Sequence, residues 1–182
     1  MVRVLALLLF LAVAASADTV RIVAANLTSG SKQSYSPDNG NHSNPEGAGA
    51  RILKGLRPDI VLIQEFNTSV PVRQWVNATF GEDYSFVREE PAQIPNGIIS
   101  RFRILESGEW DDPLQENRDF VWARIALPDG SRLLAVSVHL SAKKEEMRTE
   151  EARALAGFVK EHAKPGERVA IGGDFNLRNL SE

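Results

Sequence analysis

Arg168-Val-Ala-Ile-Gly-Gly-Asp174-Phe-Asn176-Leu177 is the stretch on which the reading of the whole chain turns. Its short apolar run predicts a buried strand, and the period of two in a strand predicts that Asp174 and Asn176 point the same way. Gly172 and Gly173 add no bulk, so another backbone or a ligand can approach there. A carboxylate can bind a hard cation or orient a water, and a carboxamide can donate to a phosphoryl oxygen without adding negative charge. The same letters also fit an acidic turn that closes a strand and does nothing more, because Asp and Asn are common turn residues.

Three earlier runs end in a comparable way. Val20-Arg-Ile-Val-Ala-Ala stops at Asn26, Asp59-Ile-Val-Leu-Ile-Gln stops at Glu65, and Arg132-Leu-Leu-Ala-Val-Ser-Val stops at His139. Each reads as a strand buried on both faces. The C-terminal edge of an open α/β sheet is where ligands bind, and here four such ends carry Asn, Glu, His and an Asp/Asn pair.

Between these runs the chain alternates types. Ala48 to Leu56 has helical spacing and stops at Arg57-Pro58; a second short helix follows Pro71 and ends at Gly81. Tyr84 to Arg88 and Gly97 to Leu105 read as strands. Pro128-Asp-Gly130-Ser between two strand patterns predicts a hairpin, so the sheet is mixed. Lys143 to Ala163 is the clearest helix, with Met147, Leu155, Phe158 and Val159 on one stripe, and its charged residues read as a solvated face. Residues 27 to 49 read as a long loop, in which His42 is a solitary solvated histidine.

Of 182 residues, 43% are hydrophobic and 25% charged, which fits one globular domain, 18–182, behind a leader. Met1-Val-Arg3, the apolar run Val4 to Ala14 and Ala15-Ser16-Ala17 read as a secretory signal peptide over 1–17, too short to span a membrane. The product is then secreted or periplasmic. The net charge of −3 becomes −4 without Arg3, which argues against tight non-specific DNA binding through phosphate neutralisation. The absence of cysteine excludes disulfides, thiolate chemistry and cysteine zinc sites. No G-x-S-x-G, P-loop or H-E-x-x-H is present. Asn41, Asn67 and Asn77 sit in glycosylation sequons.

Taken together, Asn26, Pro58-Asp-Ile-Val-Leu-Ile-Gln-Glu65, Asn96-Gly-Ile-Ile-Ser-Arg-Phe102, Ser137-Val-His139 and Gly172-Gly-Asp-Phe-Asn176 resemble the endonuclease/exonuclease/phosphatase superfamily, the deoxyribonuclease I-like fold. The resemblance implies a four-layer α/β/β/α sandwich of two mixed sheets and Mg²⁺-dependent hydrolysis of phosphate esters, with Mn²⁺ or Ca²⁺ as substitutes. It assigns the metal to Glu65, supported by Asn26, and orientation of the attacking water to Asp174. It gives phosphoryl binding to Asn176 and Arg118, and the departing oxygen to His139. A Glu before Pro, Glu89 or Glu90, is the expected partner of that histidine. The family normally continues with further strands and a Ser-Asp-His segment, so the chain looks C-terminally truncated. The expected function is an exported nuclease-like phosphodiesterase, a monomer acting on nucleic acid or another phosphodiester. A lipid or sugar-phosphate phosphatase of the same fold, sphingomyelinase-like, and a non-catalytic secreted phosphate-binding protein are the alternatives.

Overall fold

In Ile60-Val-Leu-Ile-Gln every position is apolar except the last, and a strand of that kind needs cover on both faces. The computed structural model describes residues 19–27, 47–68, 70–115 and 118–178, and in it this strand, β2 (Ile60–Gln64), is buried throughout. The expected leader, the loop bearing Asn41 and His42, and residues 179–182 lie outside the described residues. Strand β2 runs parallel to β1 (Ile22–Asn26) and antiparallel to β4 (Gly97–Ser100), which pairs with β3 (Ser85–Arg88), giving the order β1-β2-β4-β3. A second sheet takes β5 (Ile104–Trp110), β6 (Phe120–Ala126), β7 (Arg132–His139) and β8 (Arg168–Asp174) in chain order. Its first two pairings are antiparallel and β7 with β8 is parallel.

The strand period assigns the layers. Val61 and Ile63 pack with Leu53 of α1 (Ala48–Leu56) and with Trp75 and Val76 of α2 (Val72–Phe80). Ile60 and Leu62 turn the other way, onto Val121, Ala123, Ile125, Leu133 and Ala135 of the second sheet. On that sheet's far face Leu134, Val136 and Val138 meet Leu155 and Phe158 of α3 (Glu145–His162). The result is the expected α/β/β/α sandwich of two mixed sheets. Gly172 passes the first sheet so closely that a Cβ would lie 2.8 Å from Leu62 Cδ1, so the expected close approach is to the protein's own facing sheet.

Two expectations change. Gly97 to Leu105 is not one strand but two, β4 and β5, in different sheets. The Ser100 hydroxyl accepts from Phe102 N at 3.0 Å and donates to Phe102 O at 2.9 Å, and Arg101 pairs with Asp59 at 2.7 Å. This polar corner carries the chain across the sandwich, and an apolar run cannot reveal it. Nor are all four strands that end in the candidate residues buried on both faces. Strands β2 and β7 are, whereas β1 and β8 lie at sheet edges among the described residues and are half-exposed, with Ile22, Val169 and Ile171 facing out.

Candidate active site

Each sheet holds one parallel pair, so β1 and β2 end together and β7 and β8 end together. Asn26 is level with Gln64, and His139 with Asp174. The sheets stack with β1 against β8 and β2 against β7, which brings all four ends to one place. A buried polar bridge fixes this alignment. Gln64 Nε2 donates to Ser137 Oγ at 2.8 Å, and the Ser137 hydroxyl donates to Ile63 O at 3.0 Å.

Asn26 stands at the centre. Its Nδ2 donates to Glu65 Oε1 at 3.2 Å and to Asp174 Oδ2 at 3.0 Å, so one amide holds two carboxylates from opposite sheets together. Glu65 leaves the end of β2 in the left-handed region, φ 51°, which aims its side chain off the strand. His139, 5% exposed, sets Nε2 3.7 Å from Asp174 Oδ2. Burial, and then the positive charge of Arg118, hold its pKa below the usual 6.5 against the pull of Asp174 and Glu65.

Asn176 reaches this corner by a route that strand alternation does not describe. The strand ends at Asp174, the chain turns, and Asn176 sits at φ 51° with its N–H donating to Asp174 Oδ1 at 2.9 Å. Its Nδ2 donates to Leu140 O at 2.8 Å. The pair thus forms an Asx-type turn that sets the Asp174 carboxylate. Arg118, at the entry to β6, is 9% exposed and near enough to His139 for its charge to be felt.

The expected histidine partner is placed elsewhere. Glu90 puts its side chain 73% exposed on the surface, 3.1 Å from Arg88 Nη1. Glu89, which is buried, accepts from Asn96 N at 2.9 Å and Asp119 N at 2.8 Å, tying the β3–β4 turn to the start of β6. No described residue hydrogen-bonds His139 Nδ1.

Burial outweighs the two amide bonds and pushes the Glu89 carboxyl up from 4.5 to about 7. The folded state therefore holds this proton more tightly than the unfolded chain, and stability falls as pH rises through that window. Asp112, raised to about 6 chiefly by burial, acts in the same direction. Urea titrations at pH 5 and pH 7.5 are expected to show a loss on the order of 2 kcal/mol. Glu89→Ala should lower stability at both pH values and shrink the difference; an unchanged difference would count against this assignment.

Sequence reasoning missed three polar residues behind the site. Gln115, Arg148 and Glu151 are all buried, although the charges of α3 were expected to face solvent. The signal was available: positions 148, 151 and 155 follow helical i, i+3, i+7 spacing, which puts both charges on the same face as the buried Leu155.

The oxygen donors of Glu65 and Asp174, gathered on one amide, suit a hard divalent cation, and Mg²⁺ characteristically takes one or two carboxylates and keeps water for its other positions. Among the described residues no three His, Asp or Glu side chains form a complete metal cage. An ion here would complete its shell with water and substrate oxygens.

Solved structures similar to the chain include a humanized D. rerio TDP2 with 14 mutations, 22% identical, TM-score 0.65, covering 88% of this chain and 63% of that one. TDP2 from C. elegans is 22% identical with TM-score 0.61 over 72% of this chain and 42% of that chain. A Bacteroides thetaiotaomicron mannosyl-6-phosphatase is 17% identical with TM-score 0.66 over 88% and 67%. At these identities the likeness speaks for the fold, and the chain spans 63% and 42% of the two TDP2 chains. Comparison with curated protein sequences gives no match. No helix among the described residues is long and apolar enough to cross a membrane. Residues 39–181 match the Endonuclease/Exonuclease/phosphatase family, most of the chain, and it is to this family that the protein belongs.

Proposed function

We propose that the protein is an exported, Mg²⁺-dependent phosphoesterase that acts as a nuclease-like phosphodiesterase. The observation that carries this reading is the convergence of Glu65 and Asp174 on the Asn26 amide, beside His139, where the two sheets meet. Family membership supports the reaction class.

Glu65, with Asn26 beside it, would hold the cation, which when bound neutralises charge on the phosphoryl group. The remaining roles belong to the chain's own groups. Asp174, its Oδ1 pinned by Asn176 N, accepts a hydrogen bond from the attacking water and sets its line of approach. His139, buried with Nε2 turned to the Asp174 side, donates a hydrogen bond to the departing oxygen. Arg118 forms no direct ion pair among the described residues, though Asp112 lies near enough to feel its charge, and its Nε is left without a partner, so it has a donor to offer a phosphoryl oxygen. Asn176 spends its Nδ2 on Leu140 O, so it contributes to phosphate binding through the turn it builds.

The test is hydrolysis of bis-p-nitrophenyl phosphate, with p-nitrophenyl phosphate and plasmid DNA in parallel, with Mg²⁺ and with EDTA. Diester cleavage abolished by EDTA is expected. Cleavage of the monoester alone would favour the sugar-phosphate alternative, and phosphate binding without turnover would favour a binding protein. His139→Asn is expected to lower turnover about 10²-fold with little change in melting temperature. Lost stability with unchanged activity per folded molecule would assign His139 to the core.

A further inference from the structure

We propose that Glu151, acting through Gln115, is a positioning residue that sets the pose in which Arg118 receives a phosphoryl group. The inference deepens the functional reading above and rests on it. Glu151 lies on the inner face of α3, fully buried, and each of its oxygens has a separate task. Oε1 accepts from Gln115 Nε2 at 3.2 Å, and Oε2 accepts from Ser141 N at 2.8 Å. Gln115 in turn offers Oε1 to Arg118 Nη2 at 3.2 Å.

The polarity of this chain is fixed from one end. A carboxylate can only accept, so Glu151 requires Gln115 to present its NH₂ group, and a glutamine that presents NH₂ on one side must present its carbonyl on the other. That carbonyl is what a guanidinium needs. Because the relay is closed from water at Glu151 and nearly so at Gln115, an unfilled bond where these two meet is costly. Gln115 is also neutral, so it orients Arg118 without adding a counter-ion. Had an aspartate or glutamate stood at 115, it would have satisfied Arg118 as a counter-ion and removed its attraction for phosphate.

The second arm reaches the histidine. Ser141 follows His139 by two residues, and besides its N–H bond to Glu151 its carbonyl accepts from Arg148 Nη1 at 3.2 Å. Glu151 therefore ties the segment leaving β7 and, through Gln115, the segment entering β6 to one helix. A shift of that carboxylate moves both sides of the candidate site together.

Glu151→Gln keeps the volume but brings an NH₂ group to one of two positions that need an acceptor. Facing Gln115, it turns the Gln115 amide round and sets NH₂ against Arg118. Gln115→Leu breaks the relay without touching the Ser141 arm. The readout is the ¹⁵Nε–¹Hε cross-peak of Arg118, assigned by its absence in Arg118→Lys and titrated with inorganic phosphate, alongside the melting temperature and KM and kcat for bis-p-nitrophenyl phosphate.

In the wild-type chain phosphate should shift this peak saturably. Both variants should move the peak before phosphate is added, weaken phosphate binding about tenfold, and raise KM more than they lower kcat. Saturable phosphate binding that both variants leave intact, with only the melting temperature lowered, would overturn the positioning role while the functional reading stands. A peak that phosphate does not shift in the wild type would overturn both.

Discussion

Asp174→Asn is expected to lower phosphodiester turnover about 10³-fold while the fold survives. The side chain is isosteric, and Asn176 N still needs an acceptor, so the new carbonyl should take the place of Oδ1. The NH₂ group is then left facing Asn26 Nδ2, a donor 3.0 Å from the oxygen it replaces, with His139 Nε2 3.7 Å from that same oxygen. Two donors oppose each other where the native site has an acceptor, and the group that orients water has lost its charge. Because the Asp174 side chain is a third exposed, water can relieve the mismatch, and the melting temperature should change by only a few degrees. Glu65→Gln should act in parallel, by about 10²-fold or more, through the cation. Activity that survives both Glu65→Gln and EDTA would sink the metal-dependent reading.

Gly173→Ala is expected to be the most damaging of the glycine-to-alanine substitutions. A Cβ at Gly173, where φ is 154°, would lie 1.9 Å from Val138 O and 3.0 Å from Val138 N. Those atoms belong to the backbone of β7, paired with Gly173 in register, and a ladder cannot move aside as a side-chain tip can. The loss should reach at least about 3 kcal/mol or prevent folding altogether. At Gly172 the obstacle is the Leu62 side chain, so Gly172→Ala should cost about 1 kcal/mol. Gly157→Ala, in α3 with open space around its Cα, should raise stability by about 0.5–1 kcal/mol. Equal effects at the three glycines in chemical denaturation would refute this ordering.

Much of the sandwich was legible because its signals are local. The doubly apolar Ile60–Gln64, the Asp129-Gly130 hairpin and the Ala48–Leu56 spacing each reflect the period of a single element, and all three elements formed as expected. The strand ends named Asn26, Glu65, His139 and Asp174, and the fold brings these four together. Arg118 was named only by resemblance; the structure places it buried, near enough to His139 for its charge to be felt, with no ion pair among the described residues.

What one-dimensional periodicity could not reach is where elements change partners. It ran β4 into β5, because an apolar stretch looks the same whether or not the chain crosses between sheets at Ser100 to Arg103. It placed Asn176 by strand alternation when a left-handed turn does so, and it left Glu89 and Glu90 undistinguished, although one is buried on two amides and the other pairs with Arg88 at the surface. It also sent the charges of α3 to solvent, when Arg148 and Glu151 are buried.

By itself the sequence singled out candidate residues at the ends of four strands, since hydrophobic period and turn chemistry act between near neighbours. Only the tertiary structure decided which of them meet. One amide from β1 reaches two carboxylates 39 and 148 residues away, and contacts across such separations are set by how two sheets stack, which no local pattern encodes.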